Sequence, residues 1–244
     1  MRRERKARPD AQVRARADEL AQQGMPYQMA MAVAHGKMEL NEALERMARR
    51  DRVTTLMERH ALSRALATQI AIGHADLDQI LARRRLAEHR AENRDRTCLE
   101  PGVPLALALH GNRVIKGQVV QVDPYTFRFV EGEGEGDPEE IHKLEVKFGY
   151  DPADWKKLKK GVRQNKRQPE RDTPAVHPQD RYSCSDRRLF GYLDRGDEVV
   201  ATLLDGDILR GRVAWFGRYE FGLILRTEAE VTIFRHALKD LSPA

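Results

Sequence analysis

Cysteine is scarce in this chain of 244 residues: Cys98 and Cys184 stand alone, with no CxxC pair and no Cys/His run at metal-ligand spacing. That pattern suggests neither a zinc site nor a disulfide framework, and it fits reduced cytosolic thiols. Long apolar runs are missing too. Nowhere do eighteen apolar residues follow one another, and the opening "MRRERKARPD" leads into no apolar signal core. A soluble, cytoplasmic protein with no membrane partner is expected. No motif sets a Ser, Cys or carboxylate beside a histidine in a recognisable catalytic arrangement, so no catalytic residue, metal or cofactor is expected. The excess of one charge sign is also small. Lys and Arg number 43 against 38 Asp and Glu, and a pI near 9.3 favours a polyanionic partner only mildly.

Apolar residues are present in sufficient number, 41% of the chain, to build cores, while 33% charged residues keep much of it solvated. The placement of charge is more informative than its sum. Residues 103–150 and 195–244 are slightly acidic, whereas residues 1–102 and 151–194 carry the basic excess. Affinity for RNA or DNA is therefore expected to rest heavily on an arm at 1–10 and a linker at 151–185.

A repeat occupies the first half. "LAQQGMPYQMAMAVAHGKMELNEAL" (20–44) aligns without a gap on "MERHALSRALATQIAIGHADLDQIL" (57–81), an offset of 37 residues that pairs Gly36 with Gly73. Each unit reads as three short helices: Pro26 or Ser63 opens the middle one, Gly36 or Gly73 closes it, and Glu39 or Asp76 starts the next. Two units are too few for a solenoid and are expected to pack as one bundle over residues 11–98. A helix, a Gly turn and a helix also outline a DNA-reading helix-turn-helix, with Arg83, Arg84 and Arg85 following. The ends that would meet bases, "ELNEALERM" and "DLDQILARR", are acidic, which favours a protein partner instead. The run "ILARRRLAEHRAENRDR" reads as a long exposed helix with a solvated, charge-laced face.

A second repeat occupies the other half. "VPLALALHGNRVIKGQVVQVDPYTFRFV" from Val103 and "EVVATLLDGDILRGRVAWFGRYEFGLIL" from Glu198 share one order: an apolar strand, a Gly turn, a strand with an internal Gly, and an aromatic-rich strand. The turn glycines supply positive φ for a tight hairpin. Gly117 and Gly211 mark a sharp bend or bulge, which a small curved barrel demands. Two such barrels, at 99–150 and 186–244, are expected after the helical domain, making the chain α+β and multidomain.

The second copy resembles the Sm-like proteins, and within them the Hfq-like RNA chaperones. "VVATLLDGDILRGRV" is similar to that family's first two strands, "IFRHALKDLSP" to its last two, and "DRRLFGYLDRG" to its short N-terminal helix. The likeness covers residues 186–244 well and 103–150 more weakly. It implies a ring-forming, non-catalytic protein that binds uridine-rich single-stranded RNA, with a role in post-transcriptional regulation. Carried over, Phe234, Arg235 and His236 would line the rim, Tyr219 would stack on a base and Arg218 would stand beside it. In the first copy Tyr125 and Lys143 survive, Pro124 replaces Arg218, and Leu144 and His142 stand where the His and the aromatic should be. That copy is expected to be a degenerate barrel. The family's adenosine-binding face is not matched, since Ala108, Thr202 and Ile208 occupy its positions. Self-association through barrel edges is a further implication.

The linker adds Lys156, Lys157, Lys159, Lys160, Arg163, Lys166 and Arg167 beside Trp155, a flexible handle for phosphate backbones without sequence preference. The Gly/Glu run at 130–140 is expected to be a mobile solvated loop. Two other readings stay open: a scaffold whose barrels and helices bind proteins, and a helix-turn-helix regulator.

Overall fold

In the computed structural model every strand-length apolar run of the second half enters one sheet. The structure describes residues 11–132, 136–164 and 174–244, which divide into two units after Arg83. The arm at 1–10, and Lys166 and Arg167 of the linker, lie outside the described residues.

The first unit alternates long and short helices: α1 (Ala11–Gln22), α2 (Tyr27–Ala34), α3 (Leu40–His60), α4 (Arg64–Ala71) and the start of α5 (Leu77–Asn93). Gly36 and Gly73, at φ 69° and 79°, end the short helices as expected. The Ser63 hydroxyl accepts from the Leu66 amide, and the Asp76 carboxylate accepts from the Asp78 and Gln79 amides, capping α4 and α5. Two details differ from the sequence reading. The third helix of the first repeat does not stop but continues through Met57–His60 as the first helix of the second. Nor do the repeats share one core. Ala17, Met25, Ala30, Val33 and Ala43 form one cluster, and Leu56, Leu62, Ala67 and Ile70 another. No helix among the described residues is long and apolar enough to cross a membrane.

The second unit contains two five-strand sets. The first is β1 (Pro104–Leu109), β2 (Val114–Val122), β3 (Thr126–Glu131), β4 (Glu139–His142) and β5 (Val146–Tyr150). A helix α6 (Trp155–Gly161), a short strand β6 (Val162–Gln164) and a helix α7 (Asp186–Arg195) follow. The second set is β7 (Glu198–Leu203), β8 (Asp207–Phe216), β9 (Glu220–Leu225), β10 (Glu230–Phe234) and β11 (Leu238–Pro243).

The expectation of two small closed barrels is overturned. All strands belong to one antiparallel sheet in the order β11-β7-β8-β9-β10-β5-β1-β2-β3-β4, with β6 paired to the start of β8. Neither set closes on itself, because the three-residue 3-10 turn Lys143–Glu145 sends β5 away from β4 to pair with β1. The other hydrogen-bonding side of β5 is then taken by β10, in the register Val231↔Tyr150, Thr232↔Gly149 and Ile233↔Phe148. The α+β class stands; the pair of barrels does not.

The internal glycines mark a close strand approach rather than the expected bulge, since the register shifts lie at Val119/Gln121 and Val213/Trp215. A Cβ at Gly117 would collide with the Val130 carbonyl oxygen, and one at Gly211 with that of Ile224, so each strand crosses its neighbour closer than any side chain permits. β1 explains the run "PLALAL". Leu105, Leu107 and Leu109 face a core built on Phe127 and Phe129, while Ala106 and Ala108 face the other core, built on Leu189, Phe216 and Phe221. A strand buried on both faces has no polar alternation to show.

The basic linker is partly built into this fold. Leu158 of α6 is buried in the second core, and the Trp155 ring stacks on Tyr150 with centroids 6.1 Å apart. Apolar residues three apart, Trp155 and Leu158, dock a helix where the sequence reading expects a flexible tether.

Candidate nucleic-acid interface

Each five-strand set carries the same pair of turns. Between β2 and β3 the Asp123 amide donates to the Thr126 carbonyl at 3.0 Å, and between β8 and β9 the Gly217 amide donates to Glu220 at 2.9 Å. Tight turns leave two residues at the tip, Pro124-Tyr125 in one and Arg218-Tyr219 in the other. A 3-10 turn after the fourth strand then reaches each tip. The Lys143 amide donates to the Tyr125 carbonyl at 2.8 Å, and the Arg235 amide donates to the Tyr219 carbonyl at 2.9 Å. Backbone hydrogen bonds thus hold both tyrosines in place while their rings stay in water, Tyr125 76% and Tyr219 63% exposed.

Charge accompanies the rings. The Arg218 guanidinium lies over the Tyr219 ring, 5.0 Å from its centroid. Lys143 is half-buried, with its Nζ 3.4 Å from the Pro124 carbonyl. Burial pulls the pKa of Lys143 below the ordinary lysine value, although Glu220 and Asp123 attract its charge. Glu220 is itself buried and accepts from the Thr97 hydroxyl at 2.7 Å and from the Cys98 amide at 3.0 Å. Burial pushes its carboxyl up, against these hydrogen bonds.

The side chains of the "FRHAL" segment are engaged within the protein instead. Phe234 is 2% exposed and packs in the core of the first set. Arg235 donates to the Cys184 carbonyl at 3.1 Å, the Gly217 carbonyl at 2.6 Å and the Asp186 carboxylate at 2.8 Å. Its guanidinium therefore fastens α7 to the β8–β9 turn. The His236 Nε2 lies 2.8 Å from the Val146 carbonyl, and its ring is 5.6 Å from that of Phe234. Burial drives the His236 pKa down to about 4, so the ring is neutral near pH 7 and Nε2 carries the donated proton. Phe234 and His236 thus join the two strand sets, and Arg235 serves α7 and the β8–β9 turn. Of the residues singled out from sequence, Tyr219, Arg218, Tyr125 and Lys143 occupy the exposed turns.

Among the linker cations, Lys156, Lys157, Lys159 and Lys160 sit on α6, where Lys157 pairs with Asp154 at 2.8 Å, and Arg163 lies on β6 opposite Ile208. They belong to a different part of the sheet unit from the tyrosine turns.

Two groupings escaped the sequence reading. Lys147 of β5 is buried against Asp205, and its Nζ is 2.7 Å from Asp207 Oδ2. Burial disfavours its charge, but the two carboxylates outweigh this and raise its pKa. The other grouping comes from α5, which reads in sequence as a solvated face. The Phe216 amide donates to His89 Nε2 at 3.2 Å, and the His89 ring lies 4.3 Å from that of Phe216. This anchors the end of α5 beside the β8–β9 turn. A histidine inside a run of charges gives no sequence signal of such a contact.

No protein-family model matches the chain, and no curated protein is significantly similar to it.

Proposed function

We propose that this chain binds single-stranded RNA without catalysing a reaction, as a divergent member of the Sm-like, Hfq-like family, with a post-transcriptional role. The observation that carries this reading is the pair of exposed tyrosines, Tyr125 and Tyr219, held at equivalent turns by equivalent backbone bonds. A solvent-exposed ring fixed by its backbone is a stacking platform for an unpaired base, worth about 1–3 kcal/mol per base. Arg218 and Lys143 place cations beside the two rings. The repeated strand order, fifth-first-second-third-fourth in each set, supports the resemblance independently of any closure.

The uridine preference implied by the family rests on Phe234, Arg235 and His236; here Phe234 is buried, and the half-buried Arg235 and His236 are engaged by Asp186 and the Val146 carbonyl. The proposal therefore keeps single-stranded RNA and leaves base preference to experiment. Fluorescence anisotropy with short uridine-rich and adenosine-rich RNA and duplex DNA, on the full chain and on Tyr125→Ala/Tyr219→Ala, tests it. Single-strand binding that weakens at least tenfold in the variant supports the reading. Unchanged binding would assign affinity to the cations of residues 156–167, and no binding at low salt would end the RNA reading.

The scaffold reading draws on other observations. Tyr27, Leu40, Leu44 and Ile72 are exposed on the helical unit, which suits a protein partner. Among the described residues the outer sides of β4 and β11 are unpaired within the sheet and suit a second copy of the chain. Light scattering that returns the 28.0 kDa mass of one chain at micromolar concentration would rule out that self-association.

A further inference from the structure

The β8–β9 turn that carries Tyr219 also forms one wall of a cleft of about 350 Å³, lined by Arg90, Arg94, Asp186, Phe216, Gly217 and Arg218. Its floor is aromatic and its rim is cationic. Asp186 is already shared: Arg90 Nε lies 2.7 Å from one of its oxygens, and Arg235 Nη1 lies 2.8 Å from the other. Arg94 and Arg218 have no ion-pair partner among the described residues.

Three arginines thus line the cleft with a single carboxylate, and that carboxylate is already taken by Arg90 and by Arg235 behind it. Gathering like charges is unfavourable, and here they are held together by structure rather than left to spread. His89 pins the end of α5 through the Phe216 amide, Arg90 is tied to Asp186, and Arg235 ties the same carboxylate to the Gly217 carbonyl. The free guanidinium groups of Arg94 and Arg218 present paired donors suited to the oxygens of a phosphate. Arg218 belongs to both places, because it lines the cleft and covers the Tyr219 ring.

We propose that this cleft is a phosphate-binding site for the backbone of single-stranded RNA, seating a phosphodiester next to the nucleotide whose base stacks on Tyr219. The inference rests on the RNA reading above and extends it. Arg90 of α5 and Arg94, the residue just past its end, line the cleft, so the binding surface is not confined to the strand repeats. The cleft sets where the strand enters; Tyr219 holds the base that follows.

The test uses the full chain, a short uridine-rich RNA and a salt titration. The variants are Arg94→Gln, Arg94→Gln/Arg218→Gln and Tyr219→Ala, with Arg49→Gln/Arg52→Gln on α3 as a control that removes two exposed charges elsewhere. Neither Arg94 nor Arg218 holds an ion pair among the described residues, and unchanged tryptophan fluorescence checks that the sheet unit is intact. The cleft variant is expected to lose about tenfold in affinity at moderate salt. Its plot of log affinity against log salt should be shallower by about 1.4, the loss of two single-strand phosphate contacts. Arg94→Gln, which keeps Arg218 over Tyr219, should show about half that change. Tyr219→Ala should weaken binding and keep the wild-type slope. If wild type binds and the cleft variant matches it, or the control loses as much, the cleft assignment is overturned while the RNA reading stands. If wild type binds no RNA, both fall.

Discussion

The imidazole of His236, from the turn before β11, meets the backbone carbonyl of Val146 at the start of β5, with Nε2 and oxygen 2.8 Å apart. One half-buried ring thus joins the second strand set to the first, in parallel with the β10–β5 ladder. Burial lowers its pKa to about 4, and the pKa values of His89 and His110 are lowered too, with burial the largest cause for each. In the unfolded chain a histidine titrates near 6.5. Between these values the unfolded state binds more protons than the folded one, so stability falls as pH drops. The contribution is complete above about pH 6.5 and is lost progressively toward pH 4. His236 alone accounts for about 3 kcal/mol. Urea unfolding of wild type should show this loss between pH 7 and pH 4.5, and His236→Gln should show less of it. Trp155 and Trp215 both lie in the sheet unit, so their fluorescence follows that unit alone. A pH-independent midpoint would contradict the burial of a neutral ring.

Phe234 and Tyr219 separate stability from binding. Phe234→Ala empties part of the core around Phe127 and Phe129 and should cost about 3–5 kcal/mol. Any loss of RNA affinity in that variant should follow the fraction unfolded. Tyr219→Ala removes an exposed ring and should leave the unfolding midpoint within about 0.5 kcal/mol of wild type. Its RNA affinity should fall by about 1–3 kcal/mol. A reversal of these two outcomes would return the binding role to the "FRHAL" segment.

Gly211→Ala adds a single carbon, and that carbon has no room. The Ile224 carbonyl oxygen and backbone stand where the Cβ must go, and backbone in a ladder cannot swing aside as a flexible side chain could. The variant should lose at least about 3 kcal/mol or fail to accumulate as folded protein. Gly117→Ala should behave alike against Val130. An alanine tolerated at either position, seen as an unchanged melting temperature, would show that the two strands cross farther apart.

The strand repeats were legible because their signals are local. Turn glycines, internal glycines and apolar runs gave two five-strand sets, and Gly36 and Gly73 gave the ends of the short helices. How the strands join was not legible. A strand edge offers the same N–H and C=O groups whatever its side chains, so nothing in "VKFGY" states that its partners are β1 and β10. The packing of the terminal motif was hidden for a related reason. Phe234 belongs to the fourth strand of one set but packs in the core of the other, and a sequence names its neighbours in the chain, not across a ladder. The exposure of Tyr219 and Tyr125 was legible because an aromatic at a turn tip has little core to enter. Arg90 and Arg94 were missed because a charged helix face looks the same whether it meets water or lines a cleft.

The buried Lys147 makes the last case, because its charge is stranded if its partners go. It comes from β5 of the first set and meets Asp205 and Asp207 at the β7–β8 turn of the second. Removing the cation alone leaves the Asp205 carboxylate buried without its pair, and Lys147→Met should cost about 3–5 kcal/mol. Asp205→Leu alone should cost less, since Asp207 still reaches the ammonium. The double variant Lys147→Met/Asp205→Leu removes both desolvated charges and should be more stable than Lys147→Met. A double-mutant cycle from urea unfolding should therefore return a coupling above about 1 kcal/mol. Additive losses would mean that the pair is solvated rather than buried. A coupling of the expected size would make this ionic joint, with His236, a determinant of how the two strand sets are held in one sheet.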